Sequence, residues 1–191
     1  GHLRRRARRR LEAVRADMEP PRVRILETDD VEAFRTLRLA ALRECPTAFS
    51  SSYEEECDIP LAHSAKRIAP DRDHVIFGAF DGEQLVGSTG LAREGPRKLA
   101  HKAVIWGVYV APAFRQHGIG RTLLQHALAY AAALPGLRRV TLGANAANPA
   151  AIALYESVGF EPFGLERGFL LVDGVLHDEL HMTFEIKRDS K

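Results

Sequence analysis

Hydrophobic and polar positions change period along this chain, and each change marks an element. Val104 to Val110 is a β-branched and aromatic run that reads as a strand, and Ile119 to Leu134 places its apolar residues at helical spacing. Before these, Val23 to Glu27 predicts a strand, and Asp29 with Glu32 three residues later is a capping-box signature for a helix through Glu44, broken by Pro46. Leu61 to Ile68 predicts a second short helix before Pro70 and leaves Thr47 to Pro60 as a loop. His74 to Phe80 and Gln84 to Leu91 read as strands joined by an Asp81-Gly82 hairpin turn. Arg139 to Ala144 predicts a further strand. A short helix follows, capped by Asn148 with Pro149 at its first position and ended by Gly159. Phe163 to Val172 and Val175 to Glu185 then form a hairpin around Asp173-Gly174. The order is mixed α/β.

Composition narrows the class. At 191 residues and 46% hydrophobic content the chain suits one globular domain with a real core. No run approaches the roughly 18 to 20 apolar residues that span a bilayer, and no signal-peptide pattern is visible. A soluble cytoplasmic protein without membrane partners is the expectation. Cys45 and Cys57 form neither a Cys-x-x-Cys pair nor a secreted-type disulfide framework, and both read as free thiols.

The net charge of +2 hides an asymmetry, because seven arginines precede Met18, and residues 18–191 alone carry −3. Residues 1–20 read as an Arg-rich extension to a single domain over 21–191. Gly1-His2 without a methionine has the form of a tag remnant, which makes Met18 a candidate initiator. Alternatively, Leu3, Ala7, Leu11 and Val14 fall on one face of a helix. The tail has no interleaved aromatics and no nucleic-acid module follows it, so the sequence does not argue for a nucleic-acid partner.

The strand-to-helix turn Arg115-Gln116-His117-Gly118-Ile119-Gly120 reads as an anion site. The first turn of a helix carries unpaired N–H groups and the positive end of the macrodipole. Gly118 and Gly120 have no Cβ to hold a phosphate away, and Arg115 adds positive charge. No Gly-Lys-Ser/Thr follows, and Leu123 occupies the third glycine position of a dinucleotide fingerprint, which disfavours both of those nucleotide folds.

About 28 residues further on stands Asn148-Pro-Ala-Ala151-Ile-Ala-Leu154-Tyr155-Glu156-Ser-Val-Gly159-Phe160. Together with Arg-x-x-Gly-x-Gly upstream, this Asn-x-x-Ala-x-x-Leu-Tyr-Glu-x-x-Gly-Phe pattern resembles the GNAT superfamily of acyl-CoA-dependent N-acyltransferases, over about residues 22 to 186. The resemblance implies one twisted, mostly antiparallel sheet flanked by helices, whose parallel central strands splay apart to admit acetyl-CoA as cosubstrate, with no metal. It implies that N–H groups from Gln116 through His117, Gly118, Ile119 and Gly120 to Arg121 hold the pyrophosphate. Main-chain groups of Val108, Tyr109 and Val110 would bind the pantetheine and polarise the thioester, and Asn148 would contact the cofactor. Family members are commonly homodimers.

Acetyl transfer to an amine also needs a proton for the departing thiolate. Tyr155 fits, since a phenol with a pKa of about 10 stays protonated at neutral pH and can donate to a thiolate whose acid lies at about 8.5. The base is open. Many family members carry a glutamate on the strand before either motif, but Val104 to Val110 and Leu142-Gly143-Ala144 contain no carboxylate. Water, Glu54, Glu55, Glu56, His101 and Tyr109 remain candidates. Tyr53, Glu54, Glu55 and Glu56 also form a candidate substrate rim, or else an ordinary solvated surface.

His177-Asp178-Glu179-Leu180-His181 lacks the His-Glu-x-x-His spacing of a zinc helix and reads as polar residues on a sheet face or substrate rim. Neither cysteine has an activating neighbour in sequence, which favours direct transfer over an acyl-enzyme. The expected function is acetyl transfer from acetyl-CoA to a primary amine of a small molecule or a peptide N-terminus. The alternative is a non-catalytic CoA-binding or regulatory module that lost its base.

Overall fold

The computed structural model describes residues 21–187. Seven strands form one sheet: β1 Arg22–Ile25, β2 His74–Asp81, β3 Gln84–Arg93, β4 Lys102–Val110, β5 Arg139–Asn145, β6 Glu161–Val172 and β7 Val175–Glu185. Their spatial order is β1-β2-β3-β4-β5-β7-β6, and every pairing is antiparallel except β4 with β5. The helices are α1 Val31–Glu44, α2 Tyr53–Glu56, α3 Leu61–Ile68, α4 Ile119–Ala133 and α5 Pro149–Ser157. The Arg-rich extension lies outside the described residues, as do any helix and initiator within it. No described helix is long and apolar enough to cross a membrane.

Strand alternation divides the core between the two faces of the sheet. Val75, Phe77 and Ala79 of β2 pack with Leu123, Leu124 and Ala127 of α4, and this cluster extends through Val140 and Leu142 of β5 to Met182 of β7. Ile76 and Phe80 face the other way, onto Phe34 and Leu37 of α1 and Ile68 of α3. The sheet is therefore sandwiched by α4 and α5 on one side and by α1 and α3 on the other.

Two local expectations are corrected. The first capping box joins Glu27 and Asp30, not Asp29 and Glu32, and opens a 3₁₀ turn over Thr28–Asp30 that runs into α1. Arg24 decides this register: its guanidinium grips both Asp30 oxygens at 2.7 Å, which fixes the carboxylate where it accepts the Glu27 N–H at 2.8 Å. The stretch Thr47 to Pro60 is not all loop. Ser52 accepts the Glu55 N–H while the Glu55 carboxylate accepts the Ser52 N–H, and this reciprocal box starts α2.

The parallel pair positions the site. β4 and β5 are registered only at Lys102–Val104 against Arg139–Thr141. Beyond them β4 is irregular against β3, with a register shift between Ser88 and Gly90 and Gly107 at a φ of +63°. Such an insertion bends and twists a strand. Here β4 leaves β5, and a cleft opens between them.

Candidate active site

The cleft has a volume of about 620 Å³ and is walled by β4 from Ile105 to Val110, β5 from Leu142 to Asn145, the turn before α4, and α5. It gathers residues far apart in sequence. Val108, Tyr109, Val110, Arg115, Gln116, Gly118, Ile119, Gly120, Arg121, Asn148 and Tyr155 all line it. His117 does not line it, and its ring Nδ1 lies 3.3 Å from the Phe114 carbonyl.

The turn before α4 owes its shape to left-handed backbone. Gln116 has a φ of +64° and Gly118 a φ of +78°. Alternating hand in this way turns successive N–H groups toward one concavity. The first helical bond in α4 runs from Thr122 N–H to the Gly118 carbonyl, so the N–H groups of Ile119, Gly120 and Arg121 have no partner within the helix. A Cβ on Gly118 would meet nothing, but its backbone conformation disfavours any other residue. Gly120 differs from expectation: its missing Cβ makes room for Leu154, whose Cδ2 would stand 3.1 Å away, so it serves the packing of α5 on α4.

Arg115 is not a free cation. Its Nη1 and Nη2 each lie 2.8 Å from an oxygen of Glu44, and its Nε donates to the Val110 carbonyl at 2.9 Å. Glu44 also accepts the Tyr109 hydroxyl. Burial opposes ionisation of Glu44, but the hydrogen bonds from Tyr109 and Arg115 prevail and hold its carboxyl below the ordinary range. Burial and the Glu44 partner push the Tyr109 phenol far up, which removes it as a base. Arg121 makes no ion pair among the described residues and supplies uncompensated positive charge at the turn.

Asn148 caps α5 as expected, its Oδ1 accepting the Ala151 N–H at 3.1 Å. Tyr155 is 8% exposed and packs edge-on against Phe160. Burial pushes its phenol up to about 12, so it stays protonated at neutral pH. Cys45 reaches the cleft wall, where burial raises its thiol and leaves it a poor nucleophile.

The candidate rim residues sit elsewhere. Tyr53, Glu54, Glu55 and Glu56 are absent from the cleft wall, although Ala48 and Phe49 of the same segment belong to it. Tyr53 stacks under Arg43, and Glu55 is occupied by its capping box. Glu56 is buried between Arg38, at 2.8 Å, and Arg67, at 3.3 Å. His101 lies just before β4, where its carbonyl accepts the Arg138 and Arg139 N–H groups, at the paired end of β4 and away from the cleft. No group of three or more metal-ligating side chains occurs among the described residues.

The sequence profile of the Acetyltransferase (GNAT) family matches residues 37–160. The chain is 37% identical over 131 residues to N-alpha-acetyltransferase RimI of Mycobacterium tuberculosis, covering 69% of this chain and 75% of that one. It is 33% identical over 85 residues to the [ribosomal protein bS18]-alanine N-acetyltransferase of Escherichia coli, covering 44% of this chain and 57% of the relative. In three dimensions it superposes on yncA, a putative acetyltransferase from Salmonella typhimurium solved with acetyl-CoA, at a TM-score of 0.74 and 18% identity, over 91% of this chain and 98% of the other. Motifs, sheet and profile agree, and this chain belongs to the GNAT family of acetyltransferases.

Proposed function

We propose that this protein transfers the acetyl group of acetyl-CoA directly to a primary amine, and that the amine is the N-terminal α-amino group of a peptide. The observation that carries the reading is the open end of the β4–β5 pair, into which Tyr155 and the N–H groups of the α4 turn converge. The Gln116 to Arg121 turn holds the pyrophosphate. Main-chain groups of Val108 to Val110 along the cleft wall bind the pantetheine and polarise the thioester carbonyl, aimed in advance at the charge that develops there. Asn148 has its Oδ1 engaged by the cap and keeps its Nδ2 for the cofactor.

Tyr155 protonates the departing thiolate. Its burial supports this role, because a phenol in an apolar setting stays neutral until a stronger base forms beside it. The raised thiol of Cys45 favours a single direct transfer. The acceptor class is supported by two relatives, one an N-alpha-acetyltransferase and the other a ribosomal-protein alanine N-acetyltransferase.

The test is release of free CoA thiol with an alanine-initiated peptide, with small primary amines run in parallel. Tyr155→Phe should lower kcat by about 100-fold or more while leaving acetyl-CoA binding intact. Turnover of small amines with none on the peptide would overturn the acceptor class, and an unchanged kcat in Tyr155→Phe would remove Tyr155 as the acid.

A further inference from the structure

An amine that arrives protonated must lose a proton before it attacks, and neither β4 nor β5 carries a carboxylate to take it. A third strand does. In the β5–β7 ladder Gly143 pairs with His181 and Asn145 with Glu179, which places Gly143, Glu179 and His181 on the sheet face opposite Met182 and the α4 core. Gly143 is part of the cleft wall. A Cβ at Gly143 would collide with the Glu179 carboxylate. The space left by the missing side chain on β5 is thus filled, from β7, by an acid.

We infer that Glu179 is the general base of this enzyme, reaching over Gly143 to deprotonate the incoming amine. The inference rests on the amine-acetylation reading above. Its side chain is 19% exposed, and His181 stands beside it, Nδ1 at 3.6 Å from Glu179 Oε1 and Nε2 at 3.0 Å from Glu166 Oε2. Burial raises the Glu179 carboxyl above the ordinary range, Glu166 adds to the rise and His181 opposes it. Glu44, bonded to cleft residues on the other side, is held low by Tyr109 and Arg115 and is a poor proton acceptor. Two carboxylates whose environments push them apart divide into a structural anion and a base.

The step balances. Glu179 takes one proton from the ammonium and returns it to solvent, to which its side chain is partly open. The neutral nitrogen attacks the thioester carbon, the C–N bond forms and the C–S bond breaks. Tyr155 gives its proton to the sulfur and is reprotonated, through solvent, by the proton the amide nitrogen sheds.

The experiment compares wild type and Glu179→Gln on three acceptors: an alanine-initiated peptide, ethylamine, which is protonated at neutral pH, and hydroxylamine, which is not. The variant should lose about 100-fold or more on ethylamine and on the peptide, keep its hydroxylamine rate within a few-fold, and lose the acid limb of the kcat/KM profile. Equal losses on ethylamine and hydroxylamine, or no loss on either, would overturn the assignment. Gly143→Glu combined with Glu179→Ala returns a carboxylate to the same space and should restore the ethylamine rate; a failure to restore it counts against the base. Peptide turnover absent beside active ethylamine would sink only the peptide reading, since the ethylamine to hydroxylamine ratio still reports on Glu179. A wild type that acetylates none of the three overturns both.

Discussion

Glu44, in the last turn of α1, binds Arg115 at the mouth of the anion turn with both carboxylate oxygens, each at 2.8 Å, across 71 residues of sequence. The pair neutralises one of the two cations lining the cleft at the turn before α4 and ties a helix on one face of the sheet to the turn that feeds the other. Glu44→Gln keeps a partner for the Tyr109 hydroxyl and releases the Arg115 charge. Its KM for acetyl-CoA should fall by about two- to fivefold at low salt, the scale of a partly exposed ion pair. The advantage should vanish at high ionic strength, where the charge is screened. Steady-state kinetics across a salt series measures this.

Glu56 is a structural anion. Glu56→Ala strands Arg38, itself only 9% exposed, and should cost about 3–5 kcal/mol. Burial works against the Glu56 carboxylate, but hydrogen bonds and charge from Arg38 and Arg67 outweigh it and lower its pKa. A lowered folded pKa means that the contribution is complete above the unfolded value of about 4.3 and is lost as pH falls through the folded one. Thermal melts should therefore show a large gap between wild type and variant at pH 7 that closes under acid. Acceptor preference should not change.

The two glycines of the anion turn should separate in their effects. Gly118→Ala forces a side chain into left-handed backbone, which costs about 1–2 kcal/mol, and should raise the KM for acetyl-CoA by disturbing the N–H array. Gly120→Ala gains helix propensity of about 1 kcal/mol against crowding with the end of a flexible Leu154 side chain, and should leave the melting temperature nearly unchanged. Melting curves and acetyl-CoA titrations on both variants check the contrast.

Glu179 carries the opposite pH signature to Glu56. Its folded pKa is raised, mainly by burial. The stability of the neutral form is complete below the unfolded pKa of about 4.3 and is lost as pH rises through the folded value. Glu179→Gln should match wild type at pH 4 and melt at a higher temperature at pH 8, whatever it does to the rate.

Elements whose cause is local were legible in the sequence. The Asn148 cap with Pro149, the Asp173-Gly174 turn with both residues at positive φ, and strand Val175–Glu185 depend on neighbours a few positions away. The Ser52–Glu55 box was equally local and its Ser-x-x-Glu signal was there to be read, but the surrounding serines and acids resemble a loop. What sequence concealed was set by side chains reaching from one element to another. Arg24 moved the first capping box, Glu44 occupied Arg115, Arg38 claimed Glu56, and Glu179 filled the space over Gly143 from a different strand. The splay itself arises where two ladders stop agreeing, which no single strand's pattern records.

That splay makes the sheet two plates rather than one. β1 to β4 form the first and β5, β7 and β6 the second, with backbone stitching between the β4 and β5 segments at one end, from His101 to Val104. Much of the rest of the adhesion is apolar contact below the seam, from Leu123, Val140, Leu142 and Met182 among others, with Asn145 Nδ2 donating to the Thr47 carbonyl at 3.0 Å. Apolar contact is non-directional, so it can hold the plates together over a range of tilts that a full row of hydrogen bonds would forbid. The seam is shut mostly with grease and its main-chain rivets sit at one end, a closure that tolerates a change in the width of the cleft better than a full ladder would.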